Sequence, residues 1–344
     1  MPFPSLDVLP ATRPCRTLPP RARAPDESDR ATQSIRVRHI GNGIISGRVS
    51  GSREVFKAIG LEGIFTPEDP PERCRELAWL AFPRACYALD VYAPEVGGLV
   101  VPDTLERPAL CPPGAGRDVA VGYINGGFFN HKGLADPSAP ECSTMGAAFT
   151  KGRQLPGLPV PGAYQADYHP LQADGAASLM VAPRLSVAGQ AVFTEAEEQQ
   201  PRYQPPAGKR ADGSPDIQPG SLQHAAMRNP RAAVSYPPTD STGTLRLIVG
   251  RVADRERDPA SGYTLGEWSA ACARLDRLGV GEAYRSPAGD GPEQRLPNSS
   301  SNLDGGNSVA MGALVPGRVP LRISQSAGGR PVPNLIVVTG RTGR

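Results

Sequence analysis

The sequence predicts a mixed α+β fold, a largely antiparallel sheet with packed helices. Three observations carry that prediction. Gly and Pro number 39 each in 344 residues, about twice ordinary usage, which favours short strands and many turns over a helical bundle. Apolar runs are short and end at Gly, Pro or Asp clusters, as strands do. Only two stretches carry helix-start signals. A hydrophobic content of 39% suffices for a packed core in a chain of this length.

The elements are expected in the following order. Residues 1–34 are rich in Pro, Arg and Ala without periodicity, and read as a disordered or loosely docked tail. Residues 35–83 read as an N-terminal subdomain. Its stretch 41–47, GNGIISG, lacks the spacing of a phosphate loop and reads as a glycine-rich hairpin. Asp69-Pro70-Pro71-Glu72 predicts a helix start, with Leu77, Leu80 and Ala81 on one face and Pro83 as the stop.

Residues 84–344 read as the main domain. Strands are expected at 86–92 and 119–124, the second running straight into Asn125-Gly126-Gly127-Phe128-Phe129. Residues 151–175 read as loop and 178–182 as a strand. Residues 196–222 are polar and turn-rich, and read as an insertion or mobile flap outside the core. Residues 231–236 and 245–252 read as adjacent strands. Thr264 and Glu267 form a capping box, and Trp268, Ala271, Cys272, Leu275 and Leu278 follow at helical spacing up to Gly279. Residues 281–301 read as a second polar insertion. Strands near 309–314 and at 335–339 close the chain.

Composition excludes several classes of function. A net charge of +3 without a clustered basic stretch argues against a nucleic-acid binder. No apolar run approaches the ~18 residues of a membrane-spanning helix. The N-terminus lacks a basic start followed by an apolar core, so the expectation is a cytoplasmic chain or export without a classical signal. Cys15, Cys74, Cys86, Cys111, Cys142 and Cys272 form no C-x-x-C pair and read as buried or incidental thiols. His39, His131, His169 and His224 lie at no ligand spacing, so neither a metal nor a cofactor is expected. Asn298-Ser299-Ser300 fits a glycosylation sequon and is expected to be idle.

Three segments carry chemistry. Asn125-Gly126-Gly127 ends an apolar strand where the backbone can approach a ligand, and an Asn amide both donates to and accepts from sugar hydroxyls. Arg231 begins a hydrophobic strand, and an anchored guanidinium suits phosphate or carboxylate. In Asp304-Gly305-Gly306-Asn307-Ser308 a carboxylate sits beside two residues without side chains, leaving backbone amides open to anions.

In this order the segments resemble the phosphodiester glycosidase family, which removes N-acetylglucosamine joined through its anomeric carbon to a phosphodiester. The likeness rests on Ile124–Phe129, Pro230-Arg231-Ala232, the helix start at 261–265, Leu303–Ser308 and the closing Arg330-Pro-Val-Pro-Asn334, with Leu89-Asp90-Val91 upstream. It covers roughly residues 84–340. The chain departs from the pattern at Asn307, Val309 and Ala232.

The resemblance implies a hydrolase of glycosyl phosphodiesters acting on a small-molecule or glycan substrate. Asp304 is then expected at the anomeric carbon as nucleophile or base, and Arg231 on the phosphate. Amides of Gly126, Gly127, Gly305 and Gly306 assist Arg231, while Asn125 and Ser308 orient sugar hydroxyls. Asp90 and Glu141 are the candidates for a second carboxylate. The alternatives are a non-catalytic binder of a sugar phosphate or nucleotide derivative, and an exported effector.

Overall fold

The computed structural model describes residues 35–341 apart from 42, 59, 66, 68, 72, 95–97, 106–120, 151–152, 174–176, 212, 214, 239–242, 252–261, 279–296, 316 and 326–328. The tail expected at 1–34 and most of the insertion expected at 281–301 lie outside the described residues.

Antiparallel sheets dominate. The largest has eight strands, made of β1 (Ile35–Gly41), β2 (Ile44–Gly51), β3 (Arg75–Pro83), β12 (Arg184–Val187), β13 (Gln190–Ala191), β14 (Arg231–Tyr236), β15 (Thr244–Arg251) and β16 (Ser299–Asn302). Its order is β1-β2-β3-β15-β14-β16-β12-β13. A five-stranded sheet holds β4 (Tyr87–Tyr92), β5 (Val121–Asn125), β17 (Ala310–Leu314), β18 (Leu321–Ser324) and β19 (Leu335–Gly340), in the order β18-β17-β5-β19-β4. A third sheet contains β7 (Ala148–Thr150), β8 (Arg153–Gln154), β10 (His169–Gln172) and β11 (Ser178–Val181). β6 (Thr144–Met145) and β9 (Gly157–Leu158) form a short parallel pair.

Two apolar cores lie on the two faces of the large sheet, because its central strands bury both. Ala78, Leu80, Phe82, Val234 and Leu247 pack against Leu89, Ile124, Met311 and Ile336 of the five-stranded sheet. Leu77, Trp79, Ala233 and Ile248 face the other way. There they meet the helical elements α1 (Arg53–Lys57), α2 (Glu195–Glu198) and α3 (Leu265–Leu278). Helix α3 contributes Leu265, Trp268, Ala271, Cys272 and Leu275 to this second core. Its capping box is present, with Glu267 N–H donating to Thr264 Oγ1 at 3.2 Å and Thr264 N–H donating to Glu267 Oε2 at 3.0 Å.

Packed helices are therefore fewer than expected: among the described residues only α3 exceeds five residues. The helix expected from Asp69 is strand β3, paired with β2 on one side and β15 on the other. The run Leu77–Phe82 is apolar at every position, so its helical spacing and its strand spacing cannot be told apart locally. Pairing on both edges settles it. Trp79 lies flat across Gly47 of β2, where an added Cβ would meet its ring at 2.0 Å.

Other expectations change as well. Residues 35–83, expected as a docked subdomain, supply three strands of the large sheet itself. Residues 151–175, expected as loop, contain β8, β9 and β10. The stretch 196–222 is partly core: Tyr203 and Leu222 are buried in it, and Glu198 Oε2 accepts the Gly266 N–H at 2.8 Å. Cys86 is disulfide-bonded, which corrects its reading as an incidental thiol, while Cys142 and Cys272 are free. Asn298 is buried with its amide bonded to Ser235 Oγ and the Thr244 carbonyl, so the sequon is closed to modification. No helix among the described residues is long and apolar enough to cross a membrane.

Candidate active site

β5 and β16 end, and β14 and β19 begin, at the same edge of the two large sheets. The loops that leave these ends bring together segments separated by up to about 200 residues of chain. Asn125 Nδ2 donates to the Asp304 carbonyl at 2.7 Å, and Asp304 N–H donates to the Gly126 carbonyl at 2.9 Å. Gly306 N–H donates to the Pro230 carbonyl at 2.9 Å. The 304–306 turn is thus pinned from the five-stranded sheet on one side and from the start of β14 on the other.

This turn lines a pocket of about 250 Å³. Asp304, Arg210, Arg231, Arg330, His131 and His224 contribute its ionisable groups, and Phe128 and Phe129 part of its apolar wall. Residues 217–221, from the stretch expected to be a flap, line it too.

Asp304 is half-buried there. Burial pushes its carboxyl above the ordinary range, and this is opposed by the Arg330 charge, Ser308, the Gly305 N–H and Arg231. Arg231 is 1% exposed. Its Nε donates to the Tyr263 carbonyl at 3.0 Å, and its Nη2 donates to the carbonyls of His224 at 3.0 Å and Met227 at 2.8 Å. Burial lowers it to about 10, opposed by Glu198, Glu267 and Asp304, so it stays charged at neutral pH. His224 stands edge-on to Phe128, with ring centroids 5.6 Å apart. Burial and then the Arg231 charge lower it to about 3, so its imidazole is neutral.

Several expected site residues have different jobs. Asn125 is fully buried, and its Oδ1 accepts the Ala310 N–H at 3.1 Å. Its amide is spent on backbone, so it positions the Asp304 turn and cannot reach a sugar. The amides expected to bind anions are spent as well. Gly126 N–H and Gly127 N–H donate to the Asn334 carbonyl and Oδ1 at 3.1 and 3.3 Å, and Gly305 N–H to Asp304 Oδ1 at 3.0 Å. Ser308 Oγ is buried beside Asp304 without a complete hydrogen bond. Asp90 bonds the neighbouring Val91 N–H from within β4, and Glu141 contacts His131. Neither lines the pocket, which leaves Asp304 as its carboxylate among the described residues.

Sequence reasoning missed Arg330, His131 and His224. The Arg330-Pro-Val-Pro-Asn334 stretch was a signal for the first. Nothing local marked the two histidines, which converge only through the fold.

The glycine at 126 is required by close approach. A Cβ there would sit 1.6 Å from Asn334 Oδ1 and 2.9 Å from the Asn334 carbonyl oxygen. The side chain could swing away but the backbone oxygen cannot. Gly126→Ala is expected to lower the melting temperature sharply. A Tm within about 2 °C of wild type would show that the two strand ends part without cost.

The histidines set a pH dependence of stability. His131 and His169 are lowered to about 4 and His224 to about 3, in each case chiefly by burial, from an ordinary 6.5. His169 Nε2 lies 2.8 Å from the buried Ser301 Oγ and ties the third sheet to β16. Between those folded values and 6.5 the unfolded chain binds more protons than the folded one. Stability is therefore expected to be level above about pH 6.5 and to fall steadily toward pH 4. His224→Gln is expected to flatten that slope in a Tm-versus-pH series, and an unchanged slope would contradict it.

No protein-family model matches the chain, and no curated protein matches it. Among solved structures, a crystal structure described as a "Putative exported protein" from Burkholderia pseudomallei K96243 is similar over 89% of this chain and 96% of that one. Identity is 13% and the TM-score is 0.41, too loose a likeness to carry fold or function.

Proposed function

We propose that this pocket hydrolyses a sugar 1-phosphodiester, as the resemblance to phosphodiester glycosidases implies. One observation supports the reading above the rest. Asp304 shares a single pocket with the cations of Arg231 and Arg330, although the three lie on separate segments of the chain.

The bond explains the residue set. A phosphate monoester departs as a weakly basic anion and needs little protonation, so the demand is for positive charge at the phosphate and negative charge at the oxocarbenium-like carbon. Water or Asp304 itself attacks the anomeric carbon, and the bond from that carbon to the phosphate oxygen breaks. The electron pair leaves with the phosphate monoester. Where water attacks directly, Asp304 accepts its proton. Where Asp304 attacks, water then adds to the anomeric carbon, the bond to the Asp304 oxygen breaks to restore the carboxylate, and the proton from water passes to the phosphate monoester or to solvent.

The test is release of free sugar from a series of α-sugar 1-phosphodiesters, beginning with N-acetylglucosamine. Failure to bind or cut any of them would end the proposal. The second reading is a binder without turnover, and the lone carboxylate favours it, because ordinary glycosidases use two. It predicts strong thermal stabilisation by ligands that are recovered intact.

A further inference from the structure

The proposed reaction needs a cation for the phosphate; of the guanidinium groups lining the pocket, Arg210 is paired with Asp216 and the Ile217 carbonyl, whereas Arg231 and Arg330 are in very different states. We propose that the anionic group of the ligand sits at the corner made by Arg330 and His131 against Phe129, with Arg231 as a fixed charge behind it. This deepens the reading above and rests on it.

Arg231 keeps only its Nη1 for a ligand. Its Nε and Nη2 are committed to backbone carbonyls of 224, 225, 227 and 263, which hold the approach to β14 in shape. Arg330 is the opposite case. Among the described residues its guanidinium makes no hydrogen bond or ion pair, and its Nε is buried without a partner. It lies over the Phe129 ring at 5.2 Å. A cation held by an aromatic face and left unpaired inside a pocket fits an incoming oxyanion.

His131 completes the corner. Its ring meets the same Phe129 edge-on, with centroids 5.8 Å apart. Glu141 Oε1 lies 3.5 Å from His131 Nδ1 and accepts the Lys132 N–H at 3.0 Å. Lys132 is held in the left-handed region, at φ 54° and ψ 27°, a conformation that side-chain-bearing residues rarely adopt. The Glu141 bond secures that turn and leaves His131 Nε2 uncommitted in a pocket-lining side chain.

The charges facing His131 are Arg330, Lys132 and Glu141. Burial and then the Arg330 and Lys132 charges keep the imidazole neutral at pH 7, against the pull of Glu141. An anion placed between His131 and Arg330 offsets the Arg330 field, so binding draws a proton onto His131. Affinity for a monoanionic diester then rises as the pH falls.

The experiment uses the full chain with dimethyl phosphate, which does not titrate between pH 5 and 8, and with inorganic phosphate. Binding is read by NMR shift titration at pH 5.5 and 7.5. Wild type is expected to bind dimethyl phosphate more tightly at the lower pH. Arg330→Ala is expected to weaken binding by about tenfold or more, the usual worth of a charge-assisted hydrogen bond. It should do so with at most a small change in Tm, because Arg330 packs on Phe129 but makes no hydrogen bond or ion pair among the described residues. His131→Asn is expected to abolish the pH dependence.

If Arg330→Ala binds as wild type does, or His131→Asn keeps the pH dependence, the corner is wrong. The phosphodiester glycosidase reading then stands or falls on sugar release alone. If wild type binds neither phosphate and releases no sugar, both ideas fail together.

Discussion

Asp304→Asn is expected to reduce turnover of a glycosyl phosphodiester by roughly a thousandfold or more while leaving the fold intact. Asparagine keeps the shape of the side chain and still accepts the Gly305 N–H. The contacts that pin the turn, to Asn125, Gly126 and Pro230, are made by backbone and do not change. On the proposed reading, what is lost is the negative charge beside the anomeric carbon and the oxygen that attacks it or takes a proton from water. Loss should appear in kcat, with ligand binding retained, because the phosphate is held by other groups. The pH profile carries a second sign of the same role. In the proposed role Asp304 must be ionised, and burial raises its pKa above the ordinary carboxylate value. The acidic limb of the wild-type profile should therefore lie above the range of an exposed Asp. An Asp304→Asn enzyme with wild-type kcat would remove Asp304 from the chemistry.

Glu267→Ala is expected to be the most damaging single change to stability away from the pocket, costing about 3–5 kcal/mol. Arg75 is fully buried and donates to both Glu267 oxygens at 3.0 Å, and its other contact is Asp69 at 3.1 Å. Arg228 bridges the same two carboxylates, at 2.7 Å to each. The Arg75 guanidinium is stacked on Phe65 and Tyr263, so water cannot replace a lost partner. Removing Glu267 leaves that buried cation half-neutralised and also takes away the Thr264 cap. Urea denaturation checks this directly. Replacing Arg75 and Glu267 together by Met and Leu should cost less than Glu267→Ala alone, since no buried charge is left unpaired. A larger loss in the double variant would mean that the ion pair itself is strongly stabilising. The network also fixes Arg228, three residues before Arg231, so milder variants here are expected to disturb the pocket before they unfold the chain.

The strands that carry a turn signal at each end were legible in the sequence. β4, β5, β14, β15, β17 and β19 fall within two residues of where apolar runs meet Gly, Pro or Asn, and α3 begins at its capping box. β3 was not legible. Both its faces are buried, so it lacks the alternation that separates strand from helix. The stretch 196–222 looked like solvent-exposed loop by composition, yet Tyr203 and Leu222 anchor it to the second core. A few buried side chains outweigh many polar ones in placing a segment.

By itself the sequence marked the segments that meet at the pocket: an Asp between a Leu and two glycines, an Arg at a strand start, an Asn-Gly-Gly turn. Local bonding and strand ends decide such features, because they depend on neighbours within a few residues. Only the tertiary structure decided how those groups are spent. It turned the Asn125 amide and the glycine N–H groups inward to hold the turn, committed Arg231 to carbonyls, and left Arg330 and His131 open beside Asp304. A donor has few bonds to give, and whether backbone or ligand receives them is settled by segments up to about 200 residues away in the chain, which pattern reading along the chain does not reach.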